Sequence, residues 1–135
     1  MNTNKKGDIG LLKTMLELSE KNYFCFTPIS DTTCVDLVIA NENMELRKIQ
    51  TKYCSLSDGR MEICTSTVVN GKKVPVDLSK IDIWAIYCPD NNQIYYIKST
   101  DLVGRKTMKI RVEEPKVMSP QINMGDKYLD ISQAW

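Results

Sequence analysis

Cys34-Val35-Asp36-Leu37-Val38-Ile39-Ala40 and, after a short turn, Leu46-Arg47-Lys48-Ile49-Gln50-Thr51-Lys52 decide how this chain is read. Both runs are rich in β-branched and apolar residues, and Asn41-Glu42-Asn43 lies between them, so they are predicted as two strands of a hairpin. The first strand, from about Cys34 to Ala40, carries Asp36 near its start. The second, from about Met44 to Tyr53, carries Gln50 and Lys52 near its end. Side chains two apart on a strand share a face. Pairing therefore brings Asp36, Gln50 and Lys52 to one end of a sheet. Two oxygen acceptors beside an ammonium suit a divalent metal on an anionic substrate, of which a phosphodiester is the obvious case. The plain alternative is a solvated strand face with no chemistry.

With 135 residues the chain has room for one domain, 1–135, with a real core. Hydrophobic content of 42% and charged content of 26% are ordinary for a soluble globular protein. No run reaches the ~18 apolar residues of a membrane helix. Met1 to Lys6 lacks the apolar stretch of a signal peptide, so a cytoplasmic location is expected. The five cysteines, at 25, 34, 54, 64 and 88, form no C-x-x-C pair and are read as buried reduced thiols. The absence of histidine removes the commonest general base and makes a zinc site improbable, leaving carboxylates, Lys, Tyr, Cys or metal-activated water for acid–base work. Eighteen basic against seventeen acidic residues give no bulk attraction to nucleic acid, so any such surface must be a local patch.

Along the chain, residues 1–6 read as a frayed tail. A helix is predicted from Gly7 to about Lys21, with Ile9, Leu12, Met15 and Leu16 as its apolar stripe, Leu11 and Leu18 widening it, and Asn22 ending it. Tyr23–Thr27 is a first strand and 28–33 a polar loop. Glu62–Val69 reads as one weakly alternating strand before the Asn70-Gly71 hairpin signal, with Lys72–Val76 returning. Ile83–Cys88, apolar on both faces, suits a covered central strand, with Gln93–Lys98 its partner. Ser99 is read as the cap of a short helical turn, Met108–Val112 as a strand, 113–126 as loop, and the end as a helical turn or docked tail. The whole is an α+β fold, a helix against a mixed sheet of five or six strands. Asp82 is either a carboxylate near the site or a strand-entry cap, with the cap preferred. Tyr87, Tyr95 and Tyr96 fit core packing better than base stacking. Phosphate contacts are expected from Arg105, Lys106, Lys109, Arg111 and Lys116, from Lys72 and Lys73 beside the Asn70-Gly71 turn, and from Arg60 on another turn.

The order and spacing of several pieces carry a family resemblance: Lys6-Gly7-Asp8-Ile9-Gly10, Tyr23–Pro28, Val35-Asp36-Leu37-Val38, Ile49-Gln50-Thr51-Lys52, Ile81–Pro89, Ile94–Ile97 and Ile110–Lys116. The chain resembles the PD-(D/E)XK homing endonucleases encoded in group I introns, which are related to archaeal Holliday-junction resolvases. The resemblance implies a restriction-endonuclease-like fold and hydrolysis of double-stranded DNA with Mg²⁺, for which Mn²⁺ substitutes. It implies Asp36, Gln50 and the Thr51 carbonyl as metal ligands and Lys52 as the catalytic cation. The family's use of Q-x-K in place of E-x-K makes Gln50 expected. In this family an acidic residue usually follows the Gly-Asp-Ile-Gly run, and here that position is Leu11. Asp8, three residues earlier on nearly the same helical face, is the substitute, and Glu17 fits worse. A chain this small covers little DNA, so a homodimer or homotetramer is expected. The alternative that Leu11 favours is a DNA-binding protein or regulator with weakened or lost catalysis on the same fold.

Overall fold

A computed structural model describes residues 1–135. Helix α1 runs from Thr3–Glu20. The expected tail is therefore mostly helix. Asn2 provides the start, its side chain accepting the Lys5 N–H at 2.8 Å. Asn22 ends the helix in the left-handed region at φ 68°. Its N–H bonds to Ser19 O while the Tyr23 N–H bonds to Leu18 O, which satisfies the last carbonyls.

The buried stripe of the helix is rotated from the predicted one: Ile9, Leu11 and Met15 pack half-buried against the core, but the centre of the contact lies elsewhere. Gly10, Thr14 and Leu18 are buried, whereas Leu12 and Leu16 stand 62% and 57% exposed. Small residues win because they let the helix lie close on the sheet. A Cβ at Gly10 would stand only 3.3 Å from the Lys52 carbonyl oxygen. We expect Gly10→Val to lower stability by about 1–3 kcal/mol, the usual cost of overpacking. Urea unfolding measures this, and a parental midpoint would mean that the helix can lift off the sheet without cost.

The strands after α1 are β1 (Phe24–Phe26), β2 (Leu37–Ala40), β3 (Leu46–Tyr53), β4 (Arg60–Cys64), β5 (Ser66–Val69), β6 (Lys72–Pro75), β7 (Ile83–Cys88), β8 (Gln93–Lys98) and β9 (Thr107–Arg111). The main sheet has the order β1-β2-β3-β7-β8, antiparallel except for the parallel β3–β7 pair. All six residues of β7 are buried, as its two apolar faces predict. On one face α1 covers Leu37, Ile39, Ile49, Ile83, Ala85 and Tyr96. On the other, Trp84, Ile86, Tyr95 and Ile97 pack with Met61, Ile63, Met108 and Ile110 from the β4–β9 ribbon.

The single strand expected over Glu62–Val69 is instead two, broken at Thr65. Thr65 turns the corner by giving its N–H to Lys106 O and its hydroxyl to Arg105 O, while Val76 N–H bonds to its carbonyl. β4 then pairs with β9, and β5 with β6 across the Asn70-Gly71 turn, whose φ values of 50° and 77° are those its residues favour. Ser99 does not cap its turn. Its hydroxyl accepts the buried Trp84 Nε1–H at 2.9 Å.

The C-terminus is both helical and docked. Two 3-10 turns, Gly125–Tyr128 and Ile131–Ala134, put Tyr128 into one core face and Ile131 and Ala134 into the other. Between them they wrap the β8 edge, where Gln133 Nε2–H donates to Tyr96 O at 2.7 Å. All five cysteines are free. Only Cys88 is fully buried, and the rest are half-buried, so the expectation of buried thiols holds in full for one. No helix is long and apolar enough to cross a membrane.

Candidate active site

The site forms where β2 stops and β3 continues. The last main-chain bond between them runs from Asp36 N–H to Ile49 O at 2.9 Å. Asp36 thus sits just before β2 rather than within it, because the ladder ends there. Its carboxylate takes the place of the next ladder bond: Oδ2 accepts the Thr51 N–H at 2.9 Å and the Thr51 hydroxyl at 3.3 Å. The even-numbered β3 residues turn their main-chain groups toward the β7 side. Lys48 O accepts from Asp82 N–H, and beyond the strand Cys54 N–H donates to Tyr87 O. Ile49 and Thr51 therefore face the β2 side. The Thr51 carbonyl opens onto the edge that β2 has vacated.

Gln50 and Lys52 lie on the sheet face away from α1, opposite Trp84 and Ile86 of β7. Gln50 is 91% buried by its 9% exposure, and its Oε1 has no hydrogen-bond partner. Such an orphan is uncommon in a folded chain and marks a place where a ligand completes the bonding. Lys52 Nζ donates to Ser66 O at 2.8 Å and stands 5.4 Å from the centre of the Trp84 ring. It forms no ion pair with Asp36. The chain's one side-chain ion pair is Lys21–Glu17 at 4.0 Å.

Burial dominates the electrostatics. It pushes the Asp36 carboxyl up, and the nearby Asp31 charge adds to the rise, against the two Thr51 bonds and Lys52. Burial likewise pulls the Lys52 ammonium down, opposed by Cys64 and Asp36 and helped by Lys73. The Asp36 charge is thus destabilising without a cation. With its folded pKa above the unfolded one, the folded chain binds the proton more tightly, so this contribution to stability falls as pH rises through that window. We expect Asp36→Asn to raise the melting temperature of metal-free protein near neutral pH, with the gain fading below the ordinary carboxylate range. Melting curves across pH measure this, and a destabilised variant at neutral pH would refute it.

An open cleft of about 670 Å³ gathers the parts. Asp36, Gln50, Thr51 and Lys52 line it from the sheet, Asp8 and Leu11 from α1, Thr67 from β5, and Asp31 from the 28–33 loop. The residues read as metal-binding or catalytic all line it, as does the apolar Leu11, whereas none of the basic residues read as DNA-binding does. Asp31 and Thr67 are additions. The only sequence signal for Asp31 was a carboxylate five residues ahead of Asp36 in a polar loop. Glu17 faces elsewhere and accepts a short hydrogen bond from Tyr96 OH. Asp82 is a strand-entry residue, its Oδ2 accepting Lys48 N–H at 2.8 Å. Tyr87, Tyr95 and Tyr96 are buried in the core.

The basic residues fall in two places. Lys72 and Lys73 are exposed on β6, in the ribbon whose other strand holds Lys52 through Ser66 O. Arg105 and Lys109 line a separate polar groove of about 660 Å³ with Lys127, Gln121 and Asn123. Lys106 lies beside it, and Arg60 and Lys116 are exposed. Arg111 is half-buried and already engaged, donating to Asp58 O at 2.8 Å and Glu113 O at 3.0 Å.

No group of three or more Cys, Asp or Glu side chains is gathered as a metal cluster. The donors are mixed: the Asp36 carboxylate, the orphaned Gln50 amide oxygen and the Thr51 carbonyl. All are hard oxygens, which fits a hard divalent cation.

A family model described as PD-(D/E)XK endonuclease matches residues 1–131. Among solved structures, that of a bacterial homing endonuclease superposes with a TM-score of 0.71 at 16% identity, covering 90% of this chain and 84% of that one. No curated protein sequence matches.

Proposed function

The chain belongs to the PD-(D/E)XK endonuclease family, and from that premise we propose that it is a Mg²⁺-dependent, site-specific endonuclease of double-stranded DNA. The observation that carries the reading is the buried, unpartnered Gln50 Oε1 between Asp36 and Lys52. A bound divalent cation, Mg²⁺ or Mn²⁺, would acidify water and neutralise charge on the phosphate. Asp36, Gln50 and the Thr51 carbonyl are the groups that would hold it, with Asp8 as the candidate on α1. Lys52 is aimed by Ser66 O and the Trp84 ring, so its ammonium reaches the phosphate already oriented and partly desolvated. Hydrolysis adds one water oxygen to phosphorus and breaks one bridging P–O bond. Phosphate contacts are assigned to Arg60, Lys72, Lys73, Arg105, Lys106, Lys109, Arg111 and Lys116. Chain size supports a homodimer or homotetramer on a long site.

Leu11 on the cleft wall favours a second reading, a DNA-binding protein on this fold with weakened or lost catalysis. Incubation with a DNA library and Mg²⁺ or Mn²⁺, with binding and cleavage read separately, decides between them. Cleavage supports the first reading. Binding without cleavage in either metal supports the second. No binding even at low salt, where phosphate contacts are strongest, removes both.

A further inference from the structure

β5 and β6 form a two-stranded sheet of their own, paired with no third strand and closed by the Asn70-Gly71 turn. Each strand has four residues, which at about 3.3 Å per residue makes an arm of about 13 Å. The major groove of B-DNA, about 12 Å wide and about 8.5 Å deep, admits a two-stranded ribbon of this kind. The arm begins beside Lys52, whose ammonium donates to Ser66 O at 2.8 Å. We propose that the β5–β6 ribbon enters the major groove next to the scissile phosphate and that Val69 and Val74 read thymine methyl groups there. This deepens the endonuclease reading above and rests on it.

The register sets which side chains share a face. Thr67 pairs with Val74 and Val69 with Lys72, so these four lie on one side, with Val68 and Lys73 on the other. The first face continues inward through Thr65 and Val76, which are both buried, and Thr67 lines the cleft with Lys52. It therefore turns toward the protein at its root and overhangs the cleft farther out. Val69 and Val74 on this face are 49% and 40% exposed. Valine suits a strand, but here it also presents methyl groups to whatever fills the space beside the cleft. Charge identifies that occupant. No acidic residue occurs from Cys64 to Val76, in a chain that has 17, while Lys72 and Lys73 follow the turn at the tip. A basic and apolar arm without carboxylates fits a duplex groove, where lysines meet the phosphate walls and valines meet the C5-methyl of thymine. The root is fixed, so the arm keeps its aim: Thr65 gives its N–H to Lys106 O at 3.1 Å and its hydroxyl to Arg105 O at 2.9 Å, and accepts the Val76 N–H at 3.0 Å. At about 3.4 Å per base pair, the arm reaches about four base pairs from a phosphate at Lys52.

Selection of bound duplexes from a random DNA library with the parent, followed by replacement of each selected thymine with uracil, tests the assignment. Uracil lacks only the C5-methyl group and keeps the hydrogen-bonding edge. Losing a contacted methyl should weaken parental binding about fourfold, at one or more neighbouring positions. The Val69→Ser, Val74→Ser double variant should be indifferent to uracil at those positions. Val68→Ser, on the opposite face, should keep the parental sensitivity. All three sites are exposed, so the fold should survive, which melting curves check. The uracil comparison reads binding alone, so it decides whether or not cleavage follows. Where Mg²⁺ supports cleavage, the cut should fall within about four base pairs of the sensitive positions. Uracil tolerated at every position, sensitivity surviving in the double variant or lost in Val68→Ser, or a more distant cut would overturn the assignment and leave the endonuclease reading intact. No bound duplex even at low salt would instead overturn that reading, and the role of the ribbon with it.

Discussion

Lys52→Met should cut DNA cleavage by about 100- to 1,000-fold, the usual cost of removing one preorganised charge aimed at a reacting group. DNA binding should remain close to the parent's. Lys52 is half-enclosed between the Ser66 carbonyl and the Trp84 ring, whereas the charges free to meet a duplex backbone lie elsewhere, on β6 and along the β9 groove. Met keeps the length of the aliphatic stem over Trp84 and Ile86, so the substitution removes the charge while largely preserving the packing. Stability offers a separate readout. Burial lowers the Lys52 pKa in the folded state, so the unfolded chain holds that proton more tightly. This contribution therefore makes the parent more stable as pH rises from the lowered value toward the ordinary lysine range. Lys52→Met should lack that rise and be at least as stable near neutral pH, since no buried ammonium remains to be desolvated. Cleavage at a near-parental rate would remove Lys52 from the mechanism.

The parts of this site that were legible in the sequence are those that depend on strand geometry. Gln50 and Lys52 share a face because they are two apart, and Asp36 joins them because the hairpin register pairs Leu37 with Ile49. The β7 run and the Asn70-Gly71 turn were legible for similarly local reasons. What local pattern missed depends on distant partners. Leu12 and Leu16 fit a helical stripe, yet α1 docks through Gly10, Thr14 and Leu18, because closeness to the Lys52 carbonyl decides its seat. Residues on either side of Thr65 alternate alike, and only the pairing of Cys64 with Thr107, far along the chain, ends one strand and begins the next. Asp31 has no periodicity to place it. Its position follows from how the 28–33 loop folds back toward the end of β3.

Leu11→Glu should lower the melting temperature of metal-free protein and lower the Mg²⁺ needed for half-maximal stabilisation by about tenfold. Leu11 is half-buried. It packs against the core beneath α1 and also lines the cleft with Asp36 and Gln50. A carboxylate there gives up part of a buried leucine's contribution, about 1–2 kcal/mol. A fully enclosed unpaired charge would cost several kcal/mol, but this one can reach cleft water, so the loss should be smaller. At saturating Mg²⁺, tenfold tighter binding stabilises the variant by about 1.4 kcal/mol more than the parent, of the same size as the packing loss. The variant's deficit against the parent should therefore shrink sharply in Mg²⁺, and cleavage should increase. Thermal melts of parent and variant, with and without Mg²⁺, give the answer. An equal drop in melting temperature under both conditions would mean that position 11 does not face the cation, leaving the cleft's second charge to Asp8.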